Sequence, residues 1–179
     1  VNIDFFENSS SVMINGKVAQ ELILKVIDAH RINVYFDSIK LSHNSTLEIY
    51  NELGDLELTI NSNSNYSGGL YAIPPIKGSQ VKLVFRGMIR ESLILIGELG
   101  YFWKKSAVVH NSGFCEVDVN CSEGEEWGNQ KNGVVRLQLK RNNGLTVYCS
   151  GSLINNTSRD CRPYILSAAH CLKEVSYDN

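Results

Sequence analysis

The chain has 179 residues, 43% of them hydrophobic and 20% charged, a composition that suits a folded protein of one large or two small domains. Nineteen acidic residues against seventeen basic ones leave a formal charge of −2, without the basic footprint of a nucleic-acid binder. No run of about 18 apolar residues exists, so no membrane span is expected. The sequence opens at Val1 with neither a basic n-region nor an apolar h-region, so any signal peptide is expected to have been removed or to lie outside it.

Residues 1–103 read as all-β. Short β-branched or aromatic stretches occur at 22–27, 32–41, 47–50, 56–60, 81–85 and 93–96, separated by turn residues. In 56–60 the alternation predicts Leu56, Leu58 and Ile60 on one face, and Val81–Phe85 repeats the pattern. The segment from Val18 to Ala29 fits a helix or a strand equally well. Polar and glycine-rich residues at 61–69 and the pair Pro74-Pro75 mark breaks. Six or more strands at this spacing predict a β-sandwich or jelly-roll-like domain. Residues 104–114, which include the exposed-looking pair Lys104-Lys105, read as a linker.

All five cysteines, Cys115, Cys121, Cys149, Cys161 and Cys171, follow this linker, which suggests a disulfide-bearing extracellular module over 115–179. No Cys-x-x-Cys pair is present, and neither a metal nor a cofactor is expected. Sequons at Asn8, Asn44, Asn65, Asn120, Asn155 and Asn156 would matter only in a eukaryotic secretory pathway. Within this part Val134–Lys140 alternates, with Val135, Leu137 and Leu139 expected inward. Asn143-Gly144 is a hairpin signal, and Leu145–Ile154 returns as the partner strand. A polar loop at 155–162 leads to a short strand at 164–166 and then to Ser167-Ala168-Ala169-His170-Cys171.

Leu166-Ser167-Ala168-Ala169-His170-Cys171 resembles the active-site histidine motif of the chymotrypsin-like (trypsin-like) serine proteases. Tyr148-Cys149-Ser150-Gly151-Ser152-Leu153-Ile154 resembles the strand that supplies the histidine's neighbouring cysteine in that family. A narrower likeness lies at Ser112–Cys121, with Gly113-Phe114-Cys115 and Asp118-Val119-Asn120-Cys121, and at Leu153–Thr157. The first is similar to the start of the mature domain in bacterial lysyl endopeptidases, and the second to the Ser-Leu-x-Asn-Asn-Thr segment of the same group.

The resemblance implies an all-β chain: a β-sandwich pro- or accessory domain over 1–103 and the truncated first β-barrel of a trypsin-like domain over 115–179. It implies His170 as general base, a Cys149–Cys171 disulfide, and partners for Cys115 and Cys121 farther along the chain. A histidine, with an ordinary pKa of about 6.5, can take a hydroxyl proton and return it to a leaving amine near neutrality. Closing a loop of this size by a disulfide stabilises by about 3 kcal/mol on the chain-entropy estimate.

The implied protein is a secreted endopeptidase acting on protein or peptide substrates, with cleavage after lysine suggested by the narrower likeness. The implied aspartate and serine of the triad would follow His170 at a distance, so this chain alone is expected to be inactive. Asp178 is too close to His170 to serve as that aspartate, and it is assigned no role.

Cys161, flanked by Arg159 and Arg162, departs from the family pattern. Either it pairs with a cysteine past residue 179 or it is a free surface thiol; the two arginines could make such a thiol more reactive, but an ordinary solvated loop cysteine is the favoured reading. Two other readings compete with the enzyme: a protease-like module without catalysis, used for binding or adhesion, and a sandwich that binds ligands on a platform of Tyr66, Tyr71 and Trp103.

Overall fold

The computed structural model describes residues 1–64, 71–103, 121–158, 160 and 162–173. The chain divides into two compact units, Val1–Val109 and His110–Asn179. The expected linker at 104–114 and the sequons at Asn65 and Asn120 lie outside the described residues.

The first unit is built from β1 (Ile3–Asp4), α1 (Phe5–Asn8), β2 (Ser10–Ile14), β3 (Lys17–Lys25), β4 (Arg31–Lys40), β5 (Thr46–Tyr50), β6 (Leu56–Asn61), β7 (Tyr71–Ala72), β8 (Ile76–Lys77), β9 (Gln80–Arg86) and β10 (Leu93–Phe102). One antiparallel sheet has the order β1-β10-β4-β7, with β8 also on β4, and the other runs β2-β3-β9-β5-β6. Ile32, Val34, Phe36, Ile94 and Ile96 from the first sheet share one buried cluster with Leu22, Leu24, Leu47, Ile49, Leu83 and Phe85 from the second. Two sheets closing over a common apolar layer make the expected all-β sandwich.

Several local features were not evident in the alternation alone. The ambiguous segment at 18–29 is strand β3 followed by a turn in which Asp28 has φ 60°. Its helix-like spacing arises because Ala19 is buried although it points to the opposite face from Leu22 and Leu24. Leu56 does not share the inner face with Leu58 and Ile60. The ladder pairs Ile49 with Leu58 but Tyr50 with Leu56, so Glu57 is an extra residue and Leu56 turns to the outer side, 55% exposed.

Val84 lies on that outer side too, yet it is fully buried, opposite Glu21 and Glu48 on the flanking strands. Arg86 Nε donates to both Glu48 oxygens at 3.1 Å, and Lys82 faces Glu21 at 3.9 Å. Tyr50 donates its hydroxyl to Glu48 at 2.7 Å, and this carboxylate partner, with some burial, holds the phenol above its ordinary pKa.

The turn after β9 depends on a glycine. Gly87 has φ 148°, and a Cβ there would press on Ser45, whose Cα would stand only 2.9 Å away. Ser45 is buried in hydroxyl contact with Ser42, which in turn donates to the Met88 carbonyl at 3.2 Å. Gly87→Ala combines backbone strain with overpacking and is expected to destabilise this unit by about 2–4 kcal/mol. The check is a lower urea midpoint with an unchanged slope.

The second unit begins, among the described residues, with a 3-10 turn at Ser122–Trp127 and a short helix α2 (Gly128–Asn132). Three antiparallel strands follow, β11 (Val134–Lys140), β12 (Thr146–Ile154) and β13 (Tyr164–Ser167), in the order β11-β12-β13. The expected hairpin between the first two is present. Gly144, with φ 81°, donates its N–H to the Arg141 carbonyl at 2.9 Å, and Asn143 Oδ1 accepts from Leu145 N at 3.0 Å.

Val135, Leu137 and Leu139 do share one face, but each is only half-buried. Cys171 is the one fully buried hydrophobic side chain among the described residues of this unit. No closed barrel forms among the described residues.

Candidate functional site

His170 sits in a single 3-10 turn, Ala169–Leu172, immediately after β13. Ala168 is still extended (φ −80°, ψ 139°), and Cys171 N donates to its carbonyl at 3.0 Å, which starts the turn. Small side chains at Ser167, Ala168 and Ala169 allow this tight change of direction. The turn presents the His170 side chain to solvent while Cys171 points inward, 6% exposed.

Three constraints fix the turn to the sheet. The first is covalent: Cys171 is joined to Cys149 of β12, with their Cα atoms 6.1 Å apart. The resemblance had implied this pairing. The second is the β12–β13 ladder, in which Gly151 faces Ser167 and Leu153 faces Ile165. The third is a side-chain bond across that ladder, from Ser167 Oγ to the Ser150 carbonyl at 2.8 Å.

Gly151 is what lets β13 come this close. A Cβ at this position would lie 2.6 Å from Ile165 Cγ2, 3.2 Å from the Leu166 carbonyl oxygen and 3.4 Å from Val135 Cγ2. A glycine inside a strand is the usual mark of such an approach. The turn that bears His170 is thus tied to the sheet on one side, and its side chain is exposed on the other.

Removing the crosslink is expected to be costly because the unit's apolar face is only partly covered. The double replacement Cys149→Ser/Cys171→Ser should lose about 3 kcal/mol from this unit. Trp127 reports on it once Trp103, the other tryptophan, is changed to phenylalanine, so the loss is read from Trp127 fluorescence in a urea titration.

The remaining expected site residues are distributed as follows. Cys121 is exposed and forms no disulfide, while Cys115 and Cys161 lie outside the described residues, as does Asp178. Asp160, in the loop between β12 and β13, accepts from Asn156 Nδ2 at 2.6 Å and from Arg162 N at 3.1 Å. These hydrogen bonds hold its carboxyl below the usual range, the Asn156 amide most of all. They serve the loop and not the histidine.

Alternation and spacing carry no sign of Gly151 as a packing requirement, of Ser167 as a bonded residue, or of the Arg136 guanidinium stacked on the Tyr148 ring, 4.7 Å from its centroid. For the aromatic platform, Tyr71 is half-buried against Phe36, with ring centroids 6.4 Å apart, and Tyr66 lies outside the described residues. Tyr71 therefore belongs to the core of the sandwich.

Residues 109–179 match the family model described as lysyl endopeptidase, C-terminal domain. No solved structure matches the chain. The family match takes in all of the second unit, His170 and its cysteine brace included. This carboxy-terminal part of the chain is similar to the C-terminal domain of lysyl endopeptidases.

Proposed function

We propose that residues 115–179 form the entry segment of a trypsin-like serine protease domain in which His170 is the general base. The observation that carries the reading is the mounting of His170. Its imidazole is open to solvent, while the turn that bears it is tied to β12 by the Cys149–Cys171 bond and by the close ladder at Gly151.

In this reading a serine hydroxyl, supplied by sequence that follows, attacks the substrate's peptide carbonyl. His170 takes the hydroxyl proton as the bond to carbon forms and returns it to the amine as the peptide bond breaks. Water then repeats the cycle on the acyl-enzyme. An aspartate on the far side of the ring would hold the imidazole in the right tautomer. Cleavage after lysine, secretion, and a pro- or accessory role for the sandwich follow from the likeness to lysyl endopeptidases.

A serine-directed phosphonate tests the reading on the longer protein that includes the triad's serine. Covalent labelling of the wild type, lost in His170→Ala, is the expected result. A wild type that takes up no label would overturn it and favour a protease-like module used for binding.

A further inference from the structure

Ser167 is the last residue of β13, and its pair with Gly151 is the last rung of the β12–β13 ladder. One step further along, Ser150 has no partner in that ladder, because the chain leaves β13 at Ala168 to enter the 3-10 turn. The Ser167 hydroxyl takes that place. Its Oγ donates to the Ser150 carbonyl at 2.8 Å, the ordinary length of an O–H···O bond. A side chain thus holds the strand end to β12 at the point where the backbone lets go of it.

The position of this bond relative to His170 gives it a second meaning. Ala168, Ala169 and His170 are all exposed, and the two alanines carry no group that could tie the backbone to the sheet. On the carboxyl side the imidazole is anchored one residue away, through Cys171 and its bond to Cys149. On the amino side the nearest side chain bonded to the sheet is Ser167. The turn is therefore strung between two anchors, closed within itself by the bond from Cys171 N to the Ala168 carbonyl. With one anchor removed it can swing about the other, and the imidazole swings with it. A displacement of about 1 Å at a reacting centre costs roughly two orders of magnitude in rate. A single hydrogen bond at the surface adds little to the stability of a fold, so its loss should be felt in the aim of the turn before it is felt in unfolding.

We propose that Ser167 is a positioning residue for His170: its hydroxyl fixes the entrance of the 3-10 turn on β12 and so sets where the imidazole stands. The inference rests on the protease reading of His170 and adds to it a residue that touches neither substrate nor reacting atoms. A hydroxyl that only ends the strand would change stability without a separate change in kcat. Alanine at 167 removes Oγ alone, and threonine keeps it, so two substitutions tell the roles apart.

The test uses the longer protein that includes the triad's serine, and a peptide ester that the wild type cleaves. Ser167→Ala is expected to lower kcat roughly tenfold with KM within about twofold of wild type and the melting midpoint nearly unmoved. Ser167→Thr is expected to bring kcat back to within about threefold of wild type. The Cys171 amide, whose N–H closes the turn, should exchange with deuterium faster in Ser167→Ala and at the wild-type rate in Ser167→Thr. The proposal is overturned by an unchanged kcat or unchanged Cys171 exchange in Ser167→Ala, by a loss of activity that only follows a lowered melting midpoint, or by a threonine variant as slow as the alanine one. Phosphonate labelling of the wild type separates these results from failure of the protease reading. A wild type that takes no label sinks both, whereas a labelled wild type beside a fully active Ser167→Ala sinks this proposal alone.

Discussion

Replacing His170 by alanine is expected to lower kcat of the protein that carries the complete triad by roughly five to six orders of magnitude. The size of the effect follows from the role proposed for the imidazole. Without a base, the serine hydroxyl must attack with its proton still in place, and the leaving amine departs unprotonated. KM should change little, because the ring makes its contribution as the proton moves and not as the substrate settles. Stability should stay within about 0.5 kcal/mol of wild type, since the side chain is exposed and the turn is held by Cys171 and the backbone. Steady-state kinetics on a lysyl ester or amide, read beside a thermal melt, separate the two effects. A variant that loses activity only because it unfolds would contradict the assigned role.

Phe85→Ala should have the largest effect on the first unit, about 3–5 kcal/mol of stability. Phe85 is 1% exposed on the central strand β9, and its ring meets those of Phe6 and Phe5 at centroid distances of 5.0 and 6.4 Å, edge on. Truncation removes its own burial and strips both partner rings of their packing, and the neighbours cannot collapse into the space without moving two strands. Natural domains hold about 5–15 kcal/mol in total, so this single change would take up much of that margin. The measurement is urea unfolding followed by circular dichroism. A loss under about 1 kcal/mol would mean that this aromatic cluster is not the centre of the core.

The long strands were legible because their information is local. Arg31–Lys40 and Gln80–Arg86 carry enough alternating residues to declare a half-buried ribbon whatever they pair with. The two-residue strands at Ile3–Asp4, Tyr71–Ala72 and Ile76–Lys77 carry no such period, and they exist only because β10 or β4 lies beside them. Leu56 shows the same limit from the other direction. Its alternation is perfect, but the extra residue at Glu57 reverses its face, and a bulge is a property of the ladder and not of either strand.

At the candidate site, His170 and Cys171 are adjacent in sequence and Cys149 lies in a strand with a recognisable pattern, so their association could be expected from family resemblance. What makes the mount rigid could not. The need for glycine at 151 depends on how Ile165 and Val135 meet it across two ladders, and the Ser167 bond depends on the same register. That register is set only after the polar loop at 155–162 has closed. Asn15-Gly16 lies between the two extremes. Its φ values of 54° and 75° make the two-residue turn that joins β2 to β3, and the dipeptide alone is a strong hairpin signal.

Pairing between β1 and β10 places Ile3 opposite Ile96, and Phe5 follows directly into the buried layer. This has a consequence for the order of events during synthesis, which proceeds from the amino end at about 5–20 residues per second. When Ile3 is made, its partner Ile96 on β10 is still more than ninety residues away. The hairpin of β2 with β3 and the pairing of β5 with β6 can form in the meantime, because each needs only its neighbour in the chain. For several seconds the segment that carries Ile3 and Phe5 therefore has apolar side chains and no complete layer in which to bury them. Of the strands described, the one made earliest is among the last to reach its final position.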